Sequence, residues 1–373
     1  MRCRGFLGLL GGVAVACGSA SVPGSTSPPA CGGSDALWVA SDYSSSATGA
    51  LALSGDVTAT VGRVDLGADP SLSVSRGRAF FVARLTDTLF ELDPTCGTPS
   101  QQFSVHRGSQ PGTSDPQDVA VTSDGSLWVP LFAVPEIVIL SPSGDQVGAV
   151  DLSSYDSDGN PDATAIAIVD TPAGEKAFVA LARLNPYPTS VQPSLMLRID
   201  VATATVETSV TLAGRNPFGT MQNDDGLLWL AEPGNFDDAT EADAGVERFD
   251  TSTSTTALVA READLGGSVA QVSVSAGCAV AIVADATAVN ATSIALFDPG
   301  SGDVLAPASA SPLATDGFYL EGLAWSGGAL LVGDRRRASS GYPVHVFDGA
   351  CAPVERADTV FLPLPPIAVA VAE

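Results

Sequence analysis

The chain has 373 residues, 45% of them hydrophobic, and carries 17 basic against 42 acidic side chains, a formal net charge of −25. That is long enough for one large domain or two ordinary ones, and apolar enough to fill a core, which excludes global disorder. The acidic balance excludes nucleic acid as a partner, since phosphate binding needs a basic surface.

The N-terminus reads as an export signal. Arg2 and Arg4 precede the apolar stretch Phe6 to Ala16, which is too short to span a membrane. It closes on Ala14-Val15-Ala16-Cys17. This resembles the lipobox of bacterial lipoproteins, although Ala14 stands where that family usually carries Leu. The resemblance implies a signal peptide over 1–16 and diacylation of Cys17, which anchors the chain to a membrane. Gly18 and Ser19 follow, with no Asp, and by resemblance to Gram-negative lipoproteins this implies delivery to the outer membrane. Residues 17–34 are the lipidated Cys and a Ser/Pro/Gly tether that buries nothing.

From residue 35 the chain repeats. The clearest unit is Pro116 to Leu152, where four apolar runs are cut by Asp124-Gly125, Pro135 and Pro142 to Asp145. Runs of this length, rich in Val, Ile and Leu, predict four antiparallel strands, a to d. Strand b recurs as Leu37-Trp38-Val39, Phe80-Phe81-Val82, Leu127-Trp128-Val129, Phe178-Val179-Ala180, Leu228-Trp229-Leu230, Ala281-Ile282-Val283 and Leu330-Leu331-Val332. Trp38, Trp128 and Trp229 fall at one strand-b position, as core between blades. Strand c often ends in an apolar residue, Asp and a turn, as in Leu92-Asp93, Ile199-Asp200, Phe249-Asp250, Phe297-Asp298 and Phe347-Asp348. A period of about 40 to 50 residues with four strands per unit predicts an all-β, single seven-bladed β-propeller over 35–373. The first unit lacks strand a. The last strand, Ile367 to Ala372, is expected to supply it beside Leu37-Trp38-Val39 and close the ring.

The repeat resembles the YVTN/YncE-like and NHL-like propellers, without the Trp-Asp blade ending of WD40 repeats or the double glycine of kelch repeats. That resemblance implies a binding scaffold in many members and an enzyme in some.

Four cysteines remain after Cys3 and Cys17, which allows three pairings in an exported chain. Cys31 and Cys278 fall at a–b turns, and Cys96 and Cys351 at the c–d turn of the next blade. Equivalent positions in a ring have equivalent separations, which selects Cys31–Cys96 and Cys278–Cys351.

No G-x-S-x-G, H-E-x-x-H or P-loop motif occurs. The two histidines, His106 and His345, are too far apart in the blade plan to form a dyad. Acidic loops are the candidate sites. Asp156, Asp158, Asn160 and Asp162 alternate around a Gly in a d–a loop on the top face, a pattern of hard oxygens suited to Ca²⁺. Asp237, Asp238, Glu241 and Asp243 form a second acidic loop there. Aligning the blades places Glu232, Asp285 and Asp334 at one strand-b position in consecutive blades, with Glu321 nearby, as a possible ligand or cation cluster. Carboxylates at a channel mouth resemble the calcium-dependent lactonases of the SMP-30 and paraoxonase type, which have six blades and a different ligand set.

The expected protein is a monomeric, membrane-anchored outer-membrane lipoprotein acting as a non-catalytic scaffold. It binds a protein, peptide or glycan at the top face. The alternative is a calcium-dependent hydrolase, lactonase-like or esterase-like, with its site at the top of the channel.

Overall fold

Strand b of each repeat is apolar on both faces because both are covered. In Ala36–Ser41, Leu37 and Val39 face one way and Trp38 and Ala40 the other, and all four are buried. Side chains alternate across a strand, so one strand feeds two cores. The computed structural model describes residues 34–55, 57–107, 112–275, 277–285 and 291–371. Across them the chain forms seven antiparallel sheets, and the buried side chains fall into seven groups, one in each seam between neighbouring blades. This is the seven-bladed propeller, and it lies within the compact unit Gly32–Glu373. The expected signal peptide, Cys17, most of the tether and Cys31 lie outside the described residues.

The ring closes as expected. Pro366–Ala370 pairs antiparallel with Ala36–Ser41, with Trp38 opposite Val369, and becomes the inner strand of blade one. Two further bonds tie the join: Ser41 N–H donates to Pro365 O at 2.8 Å and Ser326 Oγ donates to Asp35 O at 2.7 Å.

Three details differ from the sequence reading. Trp38 packs backward against blade seven, whereas Trp128 and Trp229 pack forward against blades four and six. The three tryptophans therefore do not share one position: a one-residue shift of register moves a side chain to the other face. The inner strand of blade three is only Ala120–Val121, because Asp118 takes the Val119 N–H at 2.8 Å. The outer strand of blade seven is two pieces, Val354–Glu355 and Val360–Leu362, both paired with Tyr342–Asp348.

The aspartates that end strand c have a structural reason. Asp93, Asp200, Asp250 and Asp298 accept backbone N–H groups of the c–d turn, from Thr95 at 2.8 Å, Thr203 at 2.8 Å, Ser252 at 2.8 Å and Gly300 at 2.7 Å. Such side-chain turns satisfy the backbone where the strands reverse. On the same face Cys278 and Cys351 form a disulfide with Cα atoms 5.4 Å apart, within the normal range. Cys96 is disulfide-bonded as well, and its expected partner Cys31 lies outside the described residues.

Candidate functional site

The two faces of the ring differ in chemistry. The a–b and c–d turns form the bottom face, and the b–c and d–a loops form the top. Among the described residues, the exposed large apolar side chains sit on outer strands, in top-face loops or, for Phe218, at the top end of an inner strand. Of seven exposed aromatic rings, six are on the top face: Tyr43, Tyr187, Phe218, Phe236, Phe318 and Tyr319. The seventh, Phe361, is on the outer strand of blade seven. Exposed rings confined to one face mark that face for contact.

A polar cluster lies at the axial end of this face. Arg335 pairs with Glu321 and stacks on Tyr43, its guanidinium carbon 4.8 Å from the ring centre. Arg84 pairs with Asp69 and reaches Gln117 Oε1 at 3.2 Å, while Gln117 Nε2 donates to Asp115 Oδ1 at 2.8 Å. Burial raises the Glu321 carboxyl to about 7, against the pull of Arg335. Burial likewise raises Asp115 to about 6, with Asp69 and Asp87 adding to the rise and Arg84 opposing it. Tyr43, Asp69 and Asp115 have positive φ, at 64°, 51° and 54°, a region that Asp tolerates better than most residues. These residues were not singled out from the sequence, because loops carry no period. A signal did exist: Asp69-Pro70, Asp115-Pro116 and Asn216-Pro217 each precede an inner strand.

The expected cluster of Glu232, Asp285, Asp334 and Glu321 does not gather at one point. Asp334 accepts from Arg336 at 2.6 Å and lies 3.3 Å from His345 Nε2, and those contacts hold its carboxyl down to about 2 despite burial. His345 rises in turn, its two carboxylate partners outweighing burial. Glu321 belongs to Arg335, and Asp285 ends its strand opposite Ala291. Glu232 is fully buried and turns toward Gly214, where an added Cβ would lie 1.7 Å from its Oε2. As a carboxylate it has no donor for either oxygen. Burial and the adjoining Glu247 push its carboxyl well above the ordinary value. Burial raises Glu247 as well, although it accepts the Gly214 N–H at 2.6 Å.

In the candidate Ca²⁺ loop, local donors occupy the carboxylates. Asp156 accepts from Ser157 N–H and Gln192, Asp158 from Asn160 N–H at 2.9 Å, and Asp162 from Leu184 N–H at 2.7 Å. One atom fits a cation: Asn160 Oδ1 is buried without a partner. Among the described residues no three His, Cys, Asp or Glu side chains stand together as a metal site.

In the second acidic loop, Glu241 accepts from Asn235 N–H at 2.8 Å and pairs with Arg215 at 2.8 Å, and Arg215 also pairs with Asp243 at 2.8 Å. Asp237 and Asp238 remain exposed. On the opposite face the central channel widens to a cavity of about 670 Å³, lined by inner strands and turns that include Ser73, Arg76, Gln222, Asp225 and Trp325.

No family model and no curated sequence matches the chain. Solved propellers do resemble it. One is a putative 6-phosphogluconolactonase from Bacteroides uniformis, with TM-score 0.58 and 13% identity over 90% of this chain and 98% of that one. Another is virginiamycin B lyase from Staphylococcus aureus, with TM-score 0.52 and 11% identity over 81% and 92%. A third is the dihydro-heme d1 dehydrogenase NirN, with TM-score 0.53 and 14% identity over 91% and 66%. Likeness at such identity is likeness of fold, and these proteins carry three different activities on it.

Proposed function

We propose that the protein is an exported lipoprotein, anchored at the outer membrane through Cys17, whose propeller is a non-catalytic scaffold that binds a partner at its top face. The observation that carries this reading is the confinement of exposed aromatic rings in loops to that face. Arg84 and Arg335 are already spent on Asp69 and Glu321, which suits a rigid binding surface better than a site poised for catalysis. The Cys278–Cys351 disulfide supports an oxidising compartment. The test of anchoring is Cys17→Ser, which should abolish acyl labelling and release the protein from membranes; unchanged fractionation refutes it. The test of the binding face is cross-linking in intact envelopes with Tyr43→Ala/Phe236→Ala/Phe318→Ala. Cross-links should be lost in this variant and kept when bottom-turn residues are changed; the reverse result refutes the top face.

The second reading, a calcium-dependent hydrolase, is favoured by Asp115 and Glu321. These carboxyls are raised to about 6 and about 7 at the axial end, where they could serve as general acid or base. It requires calcium in native mass spectra, with Asn160 Oδ1 among its ligands, and calcium-dependent ester or lactone hydrolysis that Glu321→Gln abolishes. Absence of either sinks it.

A further inference from the structure

The b–c loop of blade five, between Leu227–Glu232 and Gly245–Asp250, holds a feature that a general binding face does not require. Phe218, at the head of the inner strand, and Phe236, in the loop, meet edge to face with ring centres 5.0 Å apart. They are 45% and 37% exposed. The pair comes from two separate elements, and the loop between them is fixed. Asn235 Nδ2 donates to Glu241 Oε1 at 2.9 Å, and Ser268 Oγ donates to Phe236 O at 3.2 Å. Ring exposure here is therefore built in, because the backbone that carries Phe236 is tied down on both sides.

The charge around the pair has one sign. Arg215, in the d–a loop just before Phe218, is the neighbouring cation, and Glu241 and Asp243 pair with it. Among the described residues the Asp237 side chain makes no hydrogen bond or ion pair, and the Asp238 side chain caps only the Thr240 N–H and hydroxyl. Two exposed carboxylates that directly follow a partly exposed ring suit a cation: the ring quadrupole and the Coulomb field attract the same group. The same field repels phosphate-bearing surfaces, which excludes nucleic acid and anionic lipid.

We propose that Phe218, Phe236, Asp237 and Asp238 form a docking site for a basic polypeptide segment, with an Arg or Lys side chain laid on the ring pair. This rests on the top face being the binding face. It adds the chemical class of the partner and the blade that recognises it. Arginine suits the site best, since a planar guanidinium can both stack on a ring and donate to a carboxylate.

The test is calorimetric titration of hexa-arginine peptide into the protein, with hexaglutamate and maltohexaose as controls. Hexa-arginine alone should bind. Phe218→Ala/Phe236→Ala and Asp237→Asn/Asp238→Asn should each weaken it at least tenfold. Asp224→Asn/Asp225→Asn, in the bottom turn of the same blade, should change it less than twofold. If both Asp pairs weaken binding equally, the peptide is answering to net charge and the site is refuted. If maltohexaose binds and the Phe variant abolishes it, the partner is a glycan and the peptide assignment is refuted while the binding face stands. If hexa-arginine does not bind, or binds but neither top-face variant matters, this site is refuted, while the binding face stands or falls on the cross-linking.

Discussion

Glu262 offers a direct measure of what the fold does to a carboxyl. It is fully buried at the turn between blades five and six, where its Oε1 accepts the Val269 N–H at 2.6 Å. Burial raises it from 4.5 to about 8, with the Val269 and Ser268 bonds opposing the rise and Glu241 and Asp238 adding to it. At neutral pH the folded protein therefore holds a proton that the unfolded chain releases. The sign follows from linkage: the stability from this proton is complete below 4.5, falls as pH rises, and is gone above about 8. At about 1.4 kcal/mol per pH unit the whole loss is at most about 5 kcal/mol. Glu262→Gln keeps an acceptor for Val269 and removes the titration. Urea unfolding followed by tryptophan fluorescence, in buffers from about pH 5 to 9, should show a flatter stability profile for Glu262→Gln. The variant should overtake the parent above about pH 8 by about 2 kcal/mol or more. Parallel profiles for the two proteins would refute the reasoning.

Three other outcomes are expected. Replacing Cys278 and Cys351 by Ser opens a loop with a sequence separation of 73 and should cost about 4 kcal/mol on the chain-entropy account, seen as a lower urea midpoint without reducing agent; an unchanged midpoint would refute it. Gly49→Ala places a Cβ 1.8 Å from Thr60 O and 2.4 Å from the Trp38 ring; it should destabilise by about 3 kcal/mol, and an unchanged midpoint would show that blade one is packed otherwise. Glu232→Gln should protect the fold as pH rises past the ordinary carboxyl range, because the Gln amide can donate to an ionised Glu247 without a shared proton; equal alkaline sensitivity in parent and variant argues against the pair.

The ring was legible in the sequence because its physics is local and repeated. Each strand b must be apolar on both faces, and four of the c–d turns are capped by an Asp at the end of strand c, so both leave a period. The closing strand was legible for the same reason: Ile367 to Ala372 had no other partner. Side-chain direction was less legible. Trp38 and Trp229 look equivalent in the sequence, but a one-residue offset sends them to opposite seams. Glu232 shows the same limit. Alignment placed it at a channel mouth, whereas strand alternation turns it to Gly214 and Glu247, where burial raises its carboxyl. The Tyr43–Arg335–Glu321 group joins residues nearly 300 positions apart across the ring closure, and nothing local announces such a contact.

The acidic composition takes on a different meaning once its carboxyls are sorted by place. Turn aspartates such as Asp93, Asp250 and Asp298 are held low by the N–H and hydroxyl groups they accept, and Asp200 is held to about 2 by Lys176. Buried carboxyls are held high: Asp115 and Asp162 at about 6, Glu321 at about 7, Glu262 at about 8, with Asp118, Glu232 and Glu247 also raised. Two consequences follow. At pH 7 Glu262 is mostly protonated and Glu321 about half so, which makes the folded protein less negative than the formal charge of −25. And the two groups act on stability from opposite sides. The low set withdraws support as pH falls toward 2, whereas the high set withdraws it as pH rises through about 6 to 8. The fold should therefore be most stable on the acid side of neutrality, near pH 5. A urea midpoint that peaks above pH 8 would show that the buried carboxyls are ionised in the native state.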